Sequence, residues 1–187
     1  MTVWFSEIYL RHFRNYDAQY LSLDPGVNVF YGPNGAGKSN FLEAVYLLVT
    51  GRSARASKYS ELIQFQQSQA YLKARLHVDK QTSVLEVLID SKVGRAVRWN
   101  GLPVRRQRDI PFQLVAIFFS PDQLAILKGA PADRRKHLDD LIIQLYPTYG
   151  EDLFRYQQVL RQRNEALRLV SMRKSSAFDL ADWDDLL

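Results

Sequence analysis

The sequence predicts an α/β fold: a mixed β-sheet around a helix that follows a phosphate-binding loop, and then the beginning of a second, helical lobe. Segments in which apolar and polar residues alternate lie on both sides of the loop, as is typical of strands. Residues 32–39 match the pattern G-x-x-x-x-G-K-[ST] between a strand-like and a helix-like segment. The last third of the chain is rich in charge, with apolar residues at helical spacing.

The elements before the loop follow from simple patterns. Residues 3–10 and 18–23 alternate apolar and polar side chains and are predicted as strands, joined by the polar, basic stretch 11–16. Residues 24–26 read Asp-Pro-Gly, which favours a turn. The apolar segment 27–31 is then predicted as a short buried strand that leads into the loop.

A helix and further strands follow the loop. Apolar residues recur at helical spacing over 38–49, and strands are predicted over 71–78 and 83–89. Asn100 and Gly101 form the pair typical of a tight hairpin turn with both residues at positive φ. The continuous apolar run 112–119 is predicted as a strand covered on both faces.

Two helix starts are predicted in the second part of the chain. Residues 120–123 place a capping Ser before Pro121, with Gln123 at the third helical position. Thr148 and Glu151 have the spacing of a capping box, and the helix that they begin is predicted to run to about Arg173.

Composition narrows the class of protein. The 187 residues include no cysteine, which excludes disulfides and Cys-ligated metals and suits a reducing cytosol. The three histidines lack ligand spacing, and neither a signal peptide nor an apolar run long enough to cross a bilayer is found. The formal net charge of +5 permits a polyanionic partner.

The loop has the residue types that nucleoside triphosphate binding requires. Glycines permit close backbone approach to phosphates, so that successive N–H groups turn inward, and the following helix directs its N-terminal dipole at the same charge. Lys38 is predicted to reach the β and γ phosphates and Ser39 to ligate Mg²⁺. Asn40 is either an α-phosphate contact or an ordinary first-turn residue. A dinucleotide loop fits less well, because it has no need of the Lys38 cation. The predicted ATP-binding residues are Gly32, Pro33, Asn34, Gly35, Ala36, Gly37, Lys38, Ser39 and Asn40.

The flanks of the loop resemble a known family. The stretch 10–16 (Leu-Arg-His-Phe-Arg-Asn-Tyr), the loop itself and residues 40–44 (Asn-Phe-Leu-Glu-Ala) are similar to the N-terminal half of SMC-like ATPases of the ABC type. Residues 51–55, 119–139 and 162–168 resemble the bacterial RecF branch of that family in particular, so the resemblance covers almost the whole chain. Members are roughly twice this length. Their signature loop and Walker B acid are not found in this sequence.

The resemblance implies an ATP-dependent homodimer in which each phosphate loop faces the signature loop of the other subunit. It also implies ATP-dependent binding to duplex DNA beside single-strand gaps, without sequence specificity. RecO and RecR would be partners in loading RecA, with slow ATP hydrolysis, in cytoplasmic DNA replication, repair and the SOS response. Residues 1–130 would then be the first ATPase lobe, and 131–187 the start of the helical second lobe.

Some residues have two interpretations. By resemblance, Arg11, Arg14 and Asn15 could reach the nucleotide, or they could be a polar connection between strands. Gln123, or Asp122, lies where ABC ATPases place the Q-loop, although helix capping explains both residues equally.

Two basic segments are candidates for DNA contact. The first is the loop after the phosphate-loop helix, with Arg52, Arg55 and Lys58. The second is the hairpin region around Trp99, with Arg105 and Arg106. The alternative for the hairpin is a solvated basic edge that discourages strand pairing.

Other function classes stay open at this point. One is a P-loop small-molecule kinase or GTPase, although the sequence has neither an Asn-Lys-x-Asp tetrad nor an arginine-rich lid. Another is a scaffold that binds ATP without catalysis.

Overall fold

The computed structural model describes residues 3–79, 81–105, 109–110, 114–121, 129–146 and 148–172. The chain divides into two compact units, residues 1–123 and 124–187. Among the described residues, the first unit contains a sheet, an α-helix and the short 3-10 helix Tyr59–Leu62, and the second contains two α-helices. The predicted α/β class is confirmed.

The sheet of the first unit has six strands in the order β2-β1-β3-β4-β5-β6, and every pairing is antiparallel. The strands predicted over residues 3–10, 18–23, 71–78 and 83–89 are confirmed. Three of them are longer than predicted, and the second begins two residues earlier and ends one residue earlier. The strands are β1 Val3–Phe13, β2 Tyr16–Ser22, β3 Gln69–Val78, β4 Gln81–Asp90, β5 Gly94–Trp99 and β6 Leu102–Val104.

One face of this sheet packs against α1, Lys38–Thr50, which confirms the predicted phosphate-loop helix. Because side chains alternate across a strand, every second residue of β3 and β4 is buried, including Leu72 and Leu85. Phe41 and Leu47 of α1 belong to the same buried cluster. The core therefore holds the first turn of α1, and with it the phosphate loop, against a rigid sheet.

The predicted hairpin turn between β5 and β6 is confirmed. Asn100 has a φ of 49° and Gly101 a φ of 81°, and Trp99 pairs directly with Leu102. Trp99 is only 7% exposed and belongs to the core. The Trp99 ring is therefore part of the core and does not face solvent at the hairpin.

Two predicted strands are wrong in the part of the chain that the structure describes. Residues 27–31 and 114–119 form no strand, and their apolar side chains are largely exposed, for example Tyr31 at 91% and Ile117 at 81%. Residues 112 and 113 lie outside the described residues. A buried strand needs both a pairing partner and a cover, and no described strand pairs with either segment. The apolar composition of a segment does not reveal whether another strand pairs with it.

The second unit is a helical hairpin of α2, Pro131–Leu145, and α3, Tyr149–Ser171. The Tyr149 hydroxyl donates to Asp139 Oδ1 at 2.7 Å, which joins the two helices. The predicted long helix is confirmed, but its capping box is wrong. Thr148 has helical dihedrals and makes no side-chain cap, and its carbonyl accepts from Glu151 N at 3.0 Å instead.

Among the described residues, neither this helix nor any other is long and apolar enough to cross a bilayer. Half of the helix start predicted at residues 120–123, namely Asp122 and Gln123, lies outside the described part of the chain.

Candidate phosphate-binding site

The phosphate loop lies on the surface between the exposed segment 27–31 and α1. Its three glycines have positive φ: 147° at Gly32, 84° at Gly35 and 102° at Gly37. Only glycine adopts such conformations without strain, which is why the chain can turn here with its backbone uncovered. A side chain at Gly32 or Gly35 would meet only open space, so in this structure their role is conformational.

Gly37 is required for packing as well. A Cβ atom there would lie 2.8 Å from the side-chain amide of Asn15 and 3.0 Å from the Tyr16 ring. The Tyr16 hydroxyl donates to the Gly37 carbonyl at 3.0 Å, and burial raises the pKa of this hydroxyl. The turn between β1 and β2 therefore supports the loop from behind.

The N-terminus of α1 leaves its first N–H groups available. Gly37 is the N-cap in a left-handed conformation, no side chain caps the helix, and its first turn has no acidic residue. The first helical hydrogen bond joins Phe41 N to the Gly37 carbonyl at 2.9 Å, so the N–H groups before Phe41 have no acceptor within the helix. An uncapped N-terminus with its positive dipole end favours an anion.

Lys38 adds a full positive charge at the same place. Its Nζ atom donates to the carbonyls of Gly32 and Pro33, both at 2.8 Å, and so lies against the loop. Ser39 is exposed, and it directly follows the lysine in the first turn of α1. Among the described residues, no cluster of three or more acidic, His or Cys side chains could hold a metal ion.

Three successive turn residues each contact α1 at three-residue intervals. Tyr16 contacts Gly37, Asn15 Oδ1 accepts from Asn40 Nδ2 at 2.8 Å, and Arg14 binds Glu43. The spacing matches one face of a helix, because residues three apart are neighbours there. The turn thus fixes the rotation of α1, which was not evident from the sequence.

Arg14 is held by a buried carboxylate. Its Nε and Nη2 atoms donate to Glu43 Oε2 at 3.0 Å and Oε1 at 2.8 Å, and Nη1 donates to the Glu61 carbonyl at 2.8 Å. The Glu43 side chain is 0% exposed. By resemblance, Arg11, Arg14 and Asn15 could reach the nucleotide. In the structure Arg14 contacts Glu43 and Asn15 contacts Asn40, while Arg11 is exposed on β1.

Glu43 also joins a second segment to α1. Ser53 Oγ donates to Glu43 Oε1 at 2.6 Å and accepts from the N–H groups of Arg55 and Ala56, at 3.0 and 2.7 Å. Sequence reasoning missed Glu43 and Ser53. One signal in the sequence could have indicated them: Glu43 is an acidic residue within the apolar pattern of the helix. A carboxylate that is buried in this way needs a hydrogen-bonding partner.

The segment 51–58, called here the basic loop, is fixed at its beginning. The Gly51 carbonyl accepts from the Tyr59 hydroxyl at 2.9 Å and from Arg95, whose guanidinium lies over the Tyr59 ring. Arg52, Arg55 and Lys58 are exposed on this loop, and Arg55 Nη1 donates to Asn40 Oδ1 at 3.3 Å. The structure thus brings the first DNA candidate next to the phosphate loop.

The second DNA candidate is only partly described. Arg105 is exposed just after β6, and Arg106 lies outside the described residues, as does Gln123. Arg95 of the same hairpin region donates to the Gly51 carbonyl, so at least one of its cations serves an internal contact.

Comparison of the sequence with known proteins identifies a family whose N-terminal domain matches the first part of this chain. The model of the RecF/RecN/SMC N-terminal domain matches residues 4–111. The DNA replication and repair protein RecF of Heliobacterium modesticaldum is 39% identical over 180 residues, which is 96% of this chain and 48% of that protein. The chain therefore spans about half the length of the curated relatives that it matches.

Solved structures give the same result. The recombination mediator protein RecF, described with ATPrS, superimposes with a TM-score of 0.88 at 33% identity, over 99% of this chain and 50% of the other. RecF described with ATP gives a TM-score of 0.84, also at 33% identity, over 97% and 49%. The predicted resemblance to one half of RecF and the predicted P-loop ATPase lobe are both confirmed, and the chain belongs to the RecF/RecN/SMC N-terminal domain family.

Proposed function

We propose that this chain binds ATP with Mg²⁺ at residues 32–39. The main support is the uncapped N-terminus of α1, which has no acid in its first turn and has the Lys38 ammonium beside it. The N–H groups and the cation would hold the β and γ phosphates, and the Asn40 side chain would contact the α phosphate. A similar structure described with ATP supports the choice of nucleotide.

The residues present fit a magnesium ion carried by the nucleotide. Mg²⁺ prefers phosphate oxygens and water with one or two protein ligands, so it needs no dedicated acidic cage. The exposed Ser39 hydroxyl, next to Lys38, is the protein ligand that we propose. When bound, the ion would neutralise charge that develops on the phosphates.

We propose further that the full-length protein, of which this chain would be one half, acts in DNA replication and repair and binds duplex DNA beside single-strand gaps as an ATP-dependent dimer. The other half would supply the signature loop that this sequence lacks. Relatives at 35–39% identity are named DNA replication and repair proteins, and the formal net charge of +5 suits a polyanion. RecO and RecR as partners, slow hydrolysis that acts as a release timer, and a cytoplasmic location belong to the same proposal. In the same way, residues 1–130 form the first lobe and 131–187 begin the second.

The experiment measures the anisotropy of a labelled gapped duplex, and the mass of the protein by light scattering, with and without ATP and Mg²⁺. Tighter DNA binding and a dimer only with ATP would support the proposal. ATP binding without either change would contradict the DNA-repair role and favour a P-loop kinase or GTPase.

A further inference from the structure

The basic loop is attached to the phosphate-loop helix at three places. Gly51 is the C-cap of α1, Ser53 donates to Glu43 at 2.6 Å, and Arg55 donates to Asn40 at 3.3 Å. Two of these contacts lie near the start of α1, one helical turn apart. The basic loop therefore has its position set by the part of α1 that would hold the phosphates.

Glu43 is the strongest of these attachments. Its side chain is 0% exposed and accepts three hydrogen bonds, two from Arg14 and one from Ser53. The Ser53 hydroxyl in turn accepts from the N–H groups of Arg55 and Ala56. The Ser53 side chain therefore fixes the backbone of the basic loop and joins it to Glu43. A fully buried, hydrogen-bonded carboxylate keeps its geometry, since leaving any of its lone pairs unmet is costly.

Asn40 is the attachment that a nucleotide would disturb. Its Nδ2 donates to Asn15 at 2.8 Å, although a phosphate at the start of α1 would offer that donor a charged acceptor. Its Oδ1 accepts from Arg55, so a rotation of the Asn40 amide also changes what holds Arg55. A nucleotide that engaged Asn40 Nδ2 would therefore also change the contact that holds Arg55.

We propose that Glu43 is a positioning residue that, through Ser53, sets the basic loop against the phosphate loop, so that binding of ATP and binding of a polyanion such as duplex DNA strengthen each other. This inference rests on the proposed function. By thermodynamic linkage, the factor by which ATP raises the affinity for the polyanion equals the factor by which the polyanion raises the affinity for ATP. The cations that would contact DNA phosphates are Arg52, Arg55 and Lys58.

The test measures the coupling factor, the ratio of the Kd for a duplex without and with saturating ATP and Mg²⁺, in the purified protein. Coupling between sites is typically about 5- to 150-fold. Ser53→Ala removes the hydroxyl that joins the basic loop to Glu43 and is expected to bring the factor close to one. Ser53→Thr keeps a hydroxyl and is expected to retain the factor.

Ser60→Ala is the matched control, because Ser60 is an exposed serine just beyond the basic loop, and the wild-type factor is expected. Thermal unfolding checks that each variant is folded, and Ser53→Ala leaves the pairing of Glu43 with Arg14 intact. A wild-type coupling factor in Ser53→Ala, or a factor of one in a wild-type protein that binds both ligands, would overturn the inference. Failure of the wild type to bind ATP would instead overturn the proposed function, and this inference with it.

Discussion

Arg14 and Glu43 form a two-bond ion pair across the junction of the sheet and the phosphate-loop helix. The guanidinium donates to both carboxylate oxygens, at 3.0 and 2.8 Å, and the carboxylate is fully buried. A buried pair of this kind adds little net stability compared with an apolar pair, but removal of one partner leaves an uncompensated charge. Its main effect is therefore on where α1 lies.

Replacement of Arg14 by Ala is expected to lower the free energy of unfolding by about 3–5 kcal/mol, because Glu43 would stay buried without its cation. Urea titration followed by circular dichroism measures the change. Arg11→Ala, at an exposed position of β1 three residues before Arg14, is the control and is expected to stay within about 0.5 kcal/mol of the wild type. Equal, small effects of the two substitutions would contradict this role of the pair.

Gly37→Ala is expected to destabilise the protein and weaken ATP binding. The positive φ of 102° costs about 1–3 kcal/mol for a residue with a side chain. The new Cβ would also displace the Asn15 amide and so disrupt its bond to Asn40.

Gly26→Ala provides the comparison for Gly37→Ala, because Gly26 has a similar φ of 99° but open space around it. Thermal unfolding and nucleotide titration of both variants separate the strain that they share from the crowding at Gly37. If Gly26→Ala weakened ATP binding as much, the support of the loop by the turn would be refuted.

Tyr71 predicts a pH dependence of stability at the alkaline end. The pKa of Tyr71 lies well above its ordinary value, which is about 10. Burial of the hydroxyl is the larger cause, and the hydrogen bond from this hydroxyl to Glu86 is the second. The folded protein therefore retains this proton at pH values where the unfolded chain has lost it. Stability is unaffected below pH ~10 and falls as the pH rises further.

Tyr71→Phe is expected to flatten this fall. The free energy of unfolding is measured at several pH values from neutral to strongly alkaline for both proteins. Parallel pH profiles above pH ~10 would show that Tyr71 makes no contribution.

The basic loop predicts a salt-dependent DNA affinity. Removal of one cation that pairs with a phosphate of duplex DNA is expected to reduce the slope of log K against log salt by about 0.9. Arg52→Ala, Arg55→Ala and Lys58→Ala should each show this change by anisotropy titration over a range of salt concentrations. Arg161→Ala, at an exposed position of α3, should leave the slope unchanged. An unchanged slope in all three loop variants would remove the basic loop from the DNA interface.

The strands that the sequence predicts best are those whose own pattern reports which face is buried. β3 alternates from Leu72 to Val78 in both sequence and burial, and the Asn100–Gly101 turn has a conformational requirement that few other residues meet. Residues 27–31 show the limit of this reasoning. Their apolar character predicts burial, but burial depends on a pairing strand elsewhere in the chain, which a local pattern cannot report.

The site divides in the same way. Residues 32–39 could be located from sequence because spacing within one loop determines their chemistry. Ser53 and Tyr16 could not, because their partners Glu43 and Gly37 are brought to them only by the packing of α1 on the sheet. The Thr148 capping box failed for a related reason, since its spacing was right but its backbone became helical.

The most direct test of the account is the affinity for ATP and Mg²⁺, measured by isothermal titration calorimetry on the wild type, Lys38→Ala and Lys73→Ala. Lys73 is an exposed lysine on β3, so its loss changes the net charge equally but lies outside the phosphate loop. The account predicts binding by the wild type and Lys73→Ala, and an affinity lower by about tenfold or more in Lys38→Ala, equivalent to ~1.4 kcal/mol or more. Equal affinity in all three proteins would contradict the assignment of residues 32–39 as the nucleotide site.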